Sequence, residues 1–280
     1  MFASERLRAV LLSFVILALF FMAWQLATAP VSGDQVVDDE YAKLVGAAAA
    51  TGQKSAFPTP ADFLAQFGSH LADPFYDRGP NDKGIGIQLA HSVARVAMGF
   101  GLAALVAIPL GFLIGMSRLV YQALDPFIQV LKPISPLAWM PLALFTLKDS
   151  GVSAVFVIFV CSIWPMLLNT AFGVASVRKE WLDVSKTLEV KPLRKALLVI
   201  LPAAAPTIMT GMRISIGIAW LVIVAAEMLV GGTGIGYFVW NEWNNLSITN
   251  ILSAILAIGV IGMLLDVMFA RLQKAVTYRD

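Results

Sequence analysis

Apolar residues in this chain come in long blocks separated by short polar runs. The blocks Ala9 to Leu26, Ile87 to Met116, Leu124 to Leu147, Val152 to Val174, Ala203 to Val230 and Ile248 to Ala270 stand out. A helix needs roughly 20 apolar residues to cross a bilayer, so the pattern predicts an all-α polytopic membrane protein with about six transmembrane helices. Residues 1–27 form the first span and 28–86 an extracytoplasmic loop. Residues 87–280 form a five-helix core interrupted by a charged loop at 178–202. The first block follows Arg6 and Arg8, and Ala27-Thr28-Ala29 resembles a signal-peptidase site. The block is longer than an ordinary signal core, which favours a retained span over a cleaved one.

Within the loop, Thr59-Pro60 followed by Ala61-Asp62-Phe63-Leu64 reads as a helix start, with Phe63, Leu64 and Phe67 on one face. This helix is expected at the outer interface or as a solvated connection. In the second span, Gly111-x-x-x-Gly115 permits close approach of another helix. The third block is broken by Pro126, Pro133, Pro136 and Pro141. Each proline removes a backbone donor and kinks a helix, so the segment is expected either to line a pathway or simply to pack with kinks.

Composition agrees with the blocks. Of 280 residues, 59% are hydrophobic and 14% charged, against about 25% charged in soluble domains. The single Cys161 excludes a disulfide framework and a zinc motif, and is expected to be a small buried side chain. His70 and His91 are not spaced as ligands, so no metal is expected. No phosphate-binding loop occurs, and Gly232-Thr-Gly-Ile-Gly lacks the strand and helix of a dinucleotide site, so it reads as a turn. No catalytic residues and no nucleic-acid partner are expected. Basic residues after spans two and four and at the chain's ends put both termini on the cytoplasmic side. Trp220, Trp240 and Trp243 are expected at the outer boundary.

The most charged stretch is Arg178 to Pro202, RKEWLDVSKTLEVKPLRKALLVILP. Trp181, Leu182, Val184, Ser185 and Leu188 give an apolar or small stripe at helical spacing. Lys191-Pro192 breaks the helix, and Pro192 suits the first position of a second one ending at Pro202. The expected shape is an elbow of two short helices that either docks into a partner or rests on lipid headgroups. In the fifth block, Arg213, Trp220 and Glu227 recur every seventh residue and share a helix face. Charges inside a span usually face the bundle interior or a watery pathway. Arg213 could offer bidentate donors to a flat oxyanion, or cap carbonyls or pair with a carboxylate. Arg95 carries the same ambiguity.

Asp183-Val184-Ser185, Leu188 and Leu201-Pro202 resemble the EAA loop of ABC-importer permeases, whose pattern is E-A-A-x-x-x-G followed by L-P. The runs Ser92-Val-Ala-Arg-Val-Ala-Met-Gly-Phe, Ile108-Pro-Leu-Gly, Pro136-Leu-Ala-Trp-Met-Pro-Leu, Leu167-Leu-Asn-Thr and Gly217-Ile-Ala-Trp-Leu-Val-Ile-Val-Ala-Ala-Glu resemble the nitrate/sulfonate/taurine/bicarbonate group. Asp73-Pro-Phe-Tyr-Asp-Arg-Gly-Pro-Asn-Asp-Lys-Gly resembles its nitrate and bicarbonate branch. The resemblance covers roughly Thr59 to Asp266. Glu189 departs from it, standing where the loop usually has Gly. A glutamate takes positive φ less freely, so the elbow is expected to be stiffer or differently bent, with Glu189 pairing with a basic residue of the ATPase.

The resemblance implies a type I ABC-importer permease fold in a bacterial plasma membrane. Two copies would form the pore. Two cytoplasmic ATP-binding subunits, identical or not, would supply ATP and Mg, with no cofactor in this chain. An extracytoplasmic binding protein would deliver the substrate. Trp181, Asp183, Val184, Ser185, Thr187, Leu188, Glu189 and Pro192 would form the ATPase-coupling elbow. Arg213, Trp220, Glu227 and Arg95 are candidates for the translocation pathway. Nitrate or nitrite is the first expectation for the cargo and bicarbonate or cyanate the next. The alternatives are a sulfonate or taurine importer and, from another class, an ATP-independent channel or secondary transporter, for which Glu227 would be the ion site.

Overall fold

The structure is a computed structural model that describes residues 2–28, 57–79 and 82–276. Most of the loop 28–86 before the helix at Pro60 lies outside the described residues. Among the described residues the regular elements are helical, apart from one bridge between Asp77 and Lys83. They are α1 (Phe2–Thr28), α2 (Pro60–Ala72), α3 (Ile85–Met116), α4 (Arg118–Leu131), α5 (Met140–Leu147), α6 (Ser150–Ala175), α7 (Lys179–Thr187), α8 (Pro192–Val230), α9 (Ile235–Asn244) and α10 (Ile248–Val276). Five helices among the described residues are long and apolar enough to cross a membrane, and six spans result if the bent α4–α5 segment counts as one. The chain divides into two compact units, Met1–Asp73 with Glu242–Ser253, and Pro74–Asn241 with Ala254–Asp280.

In the first unit, α2 begins where the sequence places it. The Thr59 hydroxyl accepts from the Asp62 amide at 3.2 Å, and the Asp62 carboxylate accepts from the Thr59 amide at 3.4 Å, a reciprocal capping box with Pro60 at the first turn. The Trp24 indole N–H donates to the Pro58 carbonyl at 3.0 Å, and its ring lies 5.6 Å from that of Phe63. The apolar face of α2 is therefore held against the end of α1. Its polar side reaches the start of α10, where the Gln66 amide donates to Asn250 Oδ1 at 2.9 Å.

In the second unit, α3, α6 and α8 pack around a core that includes Val96, Phe100, Ile158, Met166, Leu167, Ile216 and Ile223. The two glycines of Gly111-x-x-x-Gly115 face α6. A Cβ at Gly111 would lie 2.8 Å from the Leu167 carbonyl, and one at Gly115 2.6 Å from the Ala171 carbonyl. These distances are below van der Waals contact, so the helix approach depends on the missing side chains.

The proline-rich block bends by 84° between α4 and Pro136–Leu147. Pro126 lies inside α4 and Pro141 in the first turn of α5, so the break belongs to Pro133 and Pro136. A 3-10 turn over Pro136–Trp139 follows. Asp149 then caps α6, accepting from the Val152 amide at 2.7 Å.

One expectation about the elbow fails. Its second helix does not stop at Pro202 but is the beginning of α8, which runs 39 residues from Pro192. Residues Ala196–Ile200 form a π turn, and the Leu201 amide donates to the Ala196 carbonyl five residues back. The wider turn re-spaces the backbone before Pro202, which then occupies a position where its missing donor breaks no continuing ladder. At 1.5 Å per residue α8 is about 58 Å long. That exceeds a hydrocarbon core of about 30 Å, so part of it stands clear of the membrane.

Candidate functional site

The elbow is built by the end of α7. The Glu189 amide donates to the Lys186 carbonyl at 2.9 Å and the Val190 amide to the Ser185 carbonyl at 3.0 Å. These two bonds make a Schellman cap, which requires a left-handed residue at its center. That residue is Glu189, at φ 49°. The departure from glycine therefore does not bend the elbow differently: the glutamate adopts the conformation a glycine would supply. Pro192 then starts α8.

The single stripe expected on α7 divides into two faces. Ser185 is buried, its hydroxyl donating to the Leu182 carbonyl at 2.7 Å. Leu182 packs with Val174, Val177, Ile200 and Ala204 at the ends of α6 and α8. Trp181, Val184 and Leu188 point the other way, with Leu188 70% exposed. Asp183 and Thr187 are also exposed, and Asp183 pairs with Lys186 at 3.0 Å. The Arg178 guanidinium lies over the Trp181 ring at 5.6 Å. One face of α7 thus seats the helix on the bundle, while the other presents large apolar side chains.

A buried polar cluster sits at the opposite end of α8. The Glu227 carboxylate, fully buried, accepts from both sides of a cleft between α3 and the glycine loop. Ser92 Oγ lies 2.7 Å from Oε2, Arg95 Nη1 lies 2.7 Å from Oε1, and the Gly236 amide donates to Oε2 at 3.0 Å. Arg95 Nη1 also donates to the Thr233 carbonyl at 2.6 Å. The Gln88 side-chain oxygen accepts from the Gly234 amide at 2.6 Å, and Ser92 Oγ accepts from the Ile235 amide at 2.9 Å. The bonds to Thr233, Gly234, Ile235 and Gly236 fix the turn between α8 and α9, and those from Ser92 and Arg95 to Glu227 tie α3 to α8. Side chains at Gly234 and Gly236 would collide with the Glu227 carboxylate and the Val224 carbonyl. The glycines allow the backbone to close over the ion pair, which makes the run a built anchor rather than a loose turn.

Arg213, Trp220 and Glu227, seven residues apart on one helix face, meet different partners along α8. Trp220 is buried rather than interfacial, its indole N–H donating to the Ile258 carbonyl at 3.0 Å. Trp240 and Trp243 are exposed. Arg213 makes a bidentate pair with Asp266 of α10, both contacts at 2.7 Å. Its fork is occupied by a carboxylate, the arrangement that competes with oxyanion binding. Glu227 and Arg95 neutralise each other inside the protein, so neither offers an open ion site. Cys161 is buried, as expected.

Gln88, Ser92 and Asp266 escape sequence reasoning. Asp266 had a signal, being a carboxylate inside an apolar block that needs a cationic partner. Gln88 and Ser92 had none, because small polar residues within spans commonly bond their own helix.

Comparison with known proteins fits this architecture. The family described as binding-protein-dependent transport system inner membrane component matches residues 107–279. The nitrate import permease protein NrtB of Synechocystis is 46% identical over 226 residues, covering 81% of this chain and 82% of that one. NrtB of Synechococcus elongatus is 35% identical over 278 residues, covering 98% and 92%. The bicarbonate transport system permease protein CmpB of Synechocystis is 44% identical over 207 residues, covering 74% of each. Among solved structures, the inward-facing MetNI methionine ABC transporter matches with a TM-score of 0.60 at 14% identity, covering 68% of this chain and 94% of that one. The fold is that of an ABC-importer permease, and the chain belongs to the family of inner membrane components of binding-protein-dependent transport systems.

Proposed function

We propose that this chain is the membrane-spanning permease of an ATP-driven importer for a small oxyanion, with nitrate or nitrite first and bicarbonate or cyanate next. Likeness to nitrate and bicarbonate permeases over most of the chain supports the cargo class. The observation that carries the coupling is the divided surface of α7. Leu182 and Ser185 seat it on the ends of α6 and α8, while Trp181, Val184 and Leu188 remain exposed beside a fixed elbow. In this reading two copies enclose the pathway, and each α7 enters a groove of a cytoplasmic ATP-binding subunit, which holds ATP and Mg. A binding protein docks at the opposite side, and both termini lie with the ATPases. Closure of the ATPase pair displaces α7, and α8 carries that displacement across the membrane.

The test is ATP-driven uptake of labelled nitrate and bicarbonate into liposomes holding the complete transporter and its binding protein. Asp183→Arg and Val184→Asp alter the exposed face of α7, and each should abolish uptake while the permease still inserts. Ser185→Trp also abolishes uptake, but by unseating α7. Full uptake by Asp183→Arg and Val184→Asp would refute the coupling. Uptake of sulfonates alone, or uptake without an ATPase, would refute the cargo or the mechanism.

A further inference from the structure

The bend between α4 and α5 leaves a half-open cavity of about 430 Å³ against α6 and α8. Trp164, Leu168, Ile214 and Ile218 supply apolar walls, and the polar side chains on the lining are Lys132 and Asn169. Lys132 caps α4 immediately before Pro133 ends it. Arg95 and Arg213, on α3 and α8, each have a carboxylate within 2.7 Å. No carboxylate lines the cavity, and no ion pair engages Lys132 among the described residues. The Asn169 amide donates to the Pro165 carbonyl at 2.8 Å, which uses one N–H and leaves the second.

We infer that Lys132 and Asn169 form a transit contact for a small monovalent oxyanion in this cavity. The inference rests on the proposed cargo class and adds the residues that meet the cargo inside the permease. Lys132 is an exposed residue, and its unpaired ammonium attracts a single negative charge at the open side of the cavity. The ammonium gives a charge-assisted hydrogen bond and the amide N–H a second one, while the flat face of the anion lies against apolar wall. One point charge with no guanidinium fork holds an anion weakly, as a station on a pathway must. A divalent oxyanion would remain half neutralised.

The test uses the complete transporter in liposomes, with Cys161→Ala removing the native thiol and Ile134→Cys placing one on the cavity wall. Anionic and cationic methanethiosulfonate reagents are the probes, each referred to its rate with a free thiol. The anionic reagent should react about tenfold faster than the cationic one, and nitrate should slow it. Lys132→Gln should bring the ratio to about one, and Lys132→Arg should preserve it. The helix-terminal contribution of a cation at this position does not produce that ratio. In the native background, Lys132→Gln should lower nitrate uptake per ATP hydrolysed about tenfold. A ratio unchanged by Lys132→Gln overturns the inference, as does a position-134 thiol that pairs with its counterpart in a second copy and excludes both reagents. If the native transporter carries nitrate and Lys132→Gln carries it equally, this inference alone falls. If the native transporter carries no small oxyanion, the proposed function falls as well.

Discussion

Glu189 occupies a backbone position that suits glycine, which gives a direct measure of what the elbow costs. An L-residue in the left-handed region is disfavoured by roughly 1–2 kcal/mol. Glycine there avoids the clash but loses more freedom on ordering, roughly 0.5–1 kcal/mol. Glu189→Gly should therefore stabilise the Schellman cap by about 0.5–1 kcal/mol net, a two- to fivefold shift in its opening equilibrium. Glu189→Ala keeps the left-handed penalty and removes only the carboxylate, so it should stay close to the native value. The reporters are the amides of positions 189 and 190, whose bonds to the Lys186 and Ser185 carbonyls close the cap. Hydrogen exchange of the full chain in lipid nanodiscs, referred to unstructured peptides of the same sequences, should slow two- to fivefold at these amides in Glu189→Gly. The alanine variant should show no comparable slowing. Equal exchange in the two variants, or faster exchange with glycine, would refute the claim that backbone conformation sets the stability of the elbow.

The remaining predictions concern other parts of the bundle. Glu227→Gln leaves Arg95 without its charge partner inside the protein and should destabilise the chain by about 3 kcal/mol, read as a lowered unfolding midpoint. Ser92→Ala removes the acceptor of the Ile235 amide at 2.9 Å and should cost about 1–3 kcal/mol, with new protease sensitivity at the glycine loop. Gly236→Ala forces a Cβ onto the Val224 carbonyl, and should cost about 1–3 kcal/mol by the same assay. Arg213→Gln should change neither uptake affinity nor rate, because the Arg213 fork is committed to Asp266; a raised KM would restore it to the pathway. The Asp77 carboxyl is lowered from its ordinary value because the Lys83 ammonium at 2.7 Å and the Gly79 amide bond its ionised form. A depressed folded pKa means that its contribution is present above the ordinary carboxylate range and is lost as pH falls through the folded value. Protection of the amides around Gly84, taken relative to the intrinsic exchange rate at each pH, should thus fall only in acid.

Much of the architecture was legible because a bilayer leaves few options. The spans follow from the length and apolarity of their blocks, and the start of α2 follows from Thr59, Pro60 and Asp62. Gly111 and Gly115 pointed to a close helix contact without naming α6 as the partner. Three features were not legible. The rule that proline ends helices missed α8's passage through Pro202, because the rule does not include a preceding π turn. Placing Trp220 at an interface relied on residue preference, and tertiary packing against Ile258 overrode it. The seven-residue repeat placed Arg213 and Glu227 on one face, but a straight helix drifts about 40° over two heptads. At 1.5 Å per residue the two are also about 21 Å apart. One helix face over that distance meets α10 at one point and α3 at another.

That separation makes α8 the continuous member of the permease. It begins at Pro192, at the elbow, and ends at Val230, against the glycine loop. Charge pairs tie its middle and its far end to different helices, Arg213 to Asp266 on α10 and Glu227 to Arg95 on α3. Between them, Trp220 bonds the Ile258 carbonyl. Leu182 and Ser185 are the inward side chains of α7, and Leu182 packs on α6 and α8 beside Val174, Val177 and Ile200. A force applied to the exposed face of α7 therefore enters α8 near its π turn, where the backbone departs from α geometry. The Arg213–Asp266 pair lies 21 residues beyond Pro192, past the middle of α8. The buried Glu227–Arg95 pair holds the far end, and loss of either partner would leave a buried charge uncompensated. Both ion pairs thus hold the half of α8 beyond its midpoint, and among the described residues no ion pair ties positions 192–212 to a neighbouring helix.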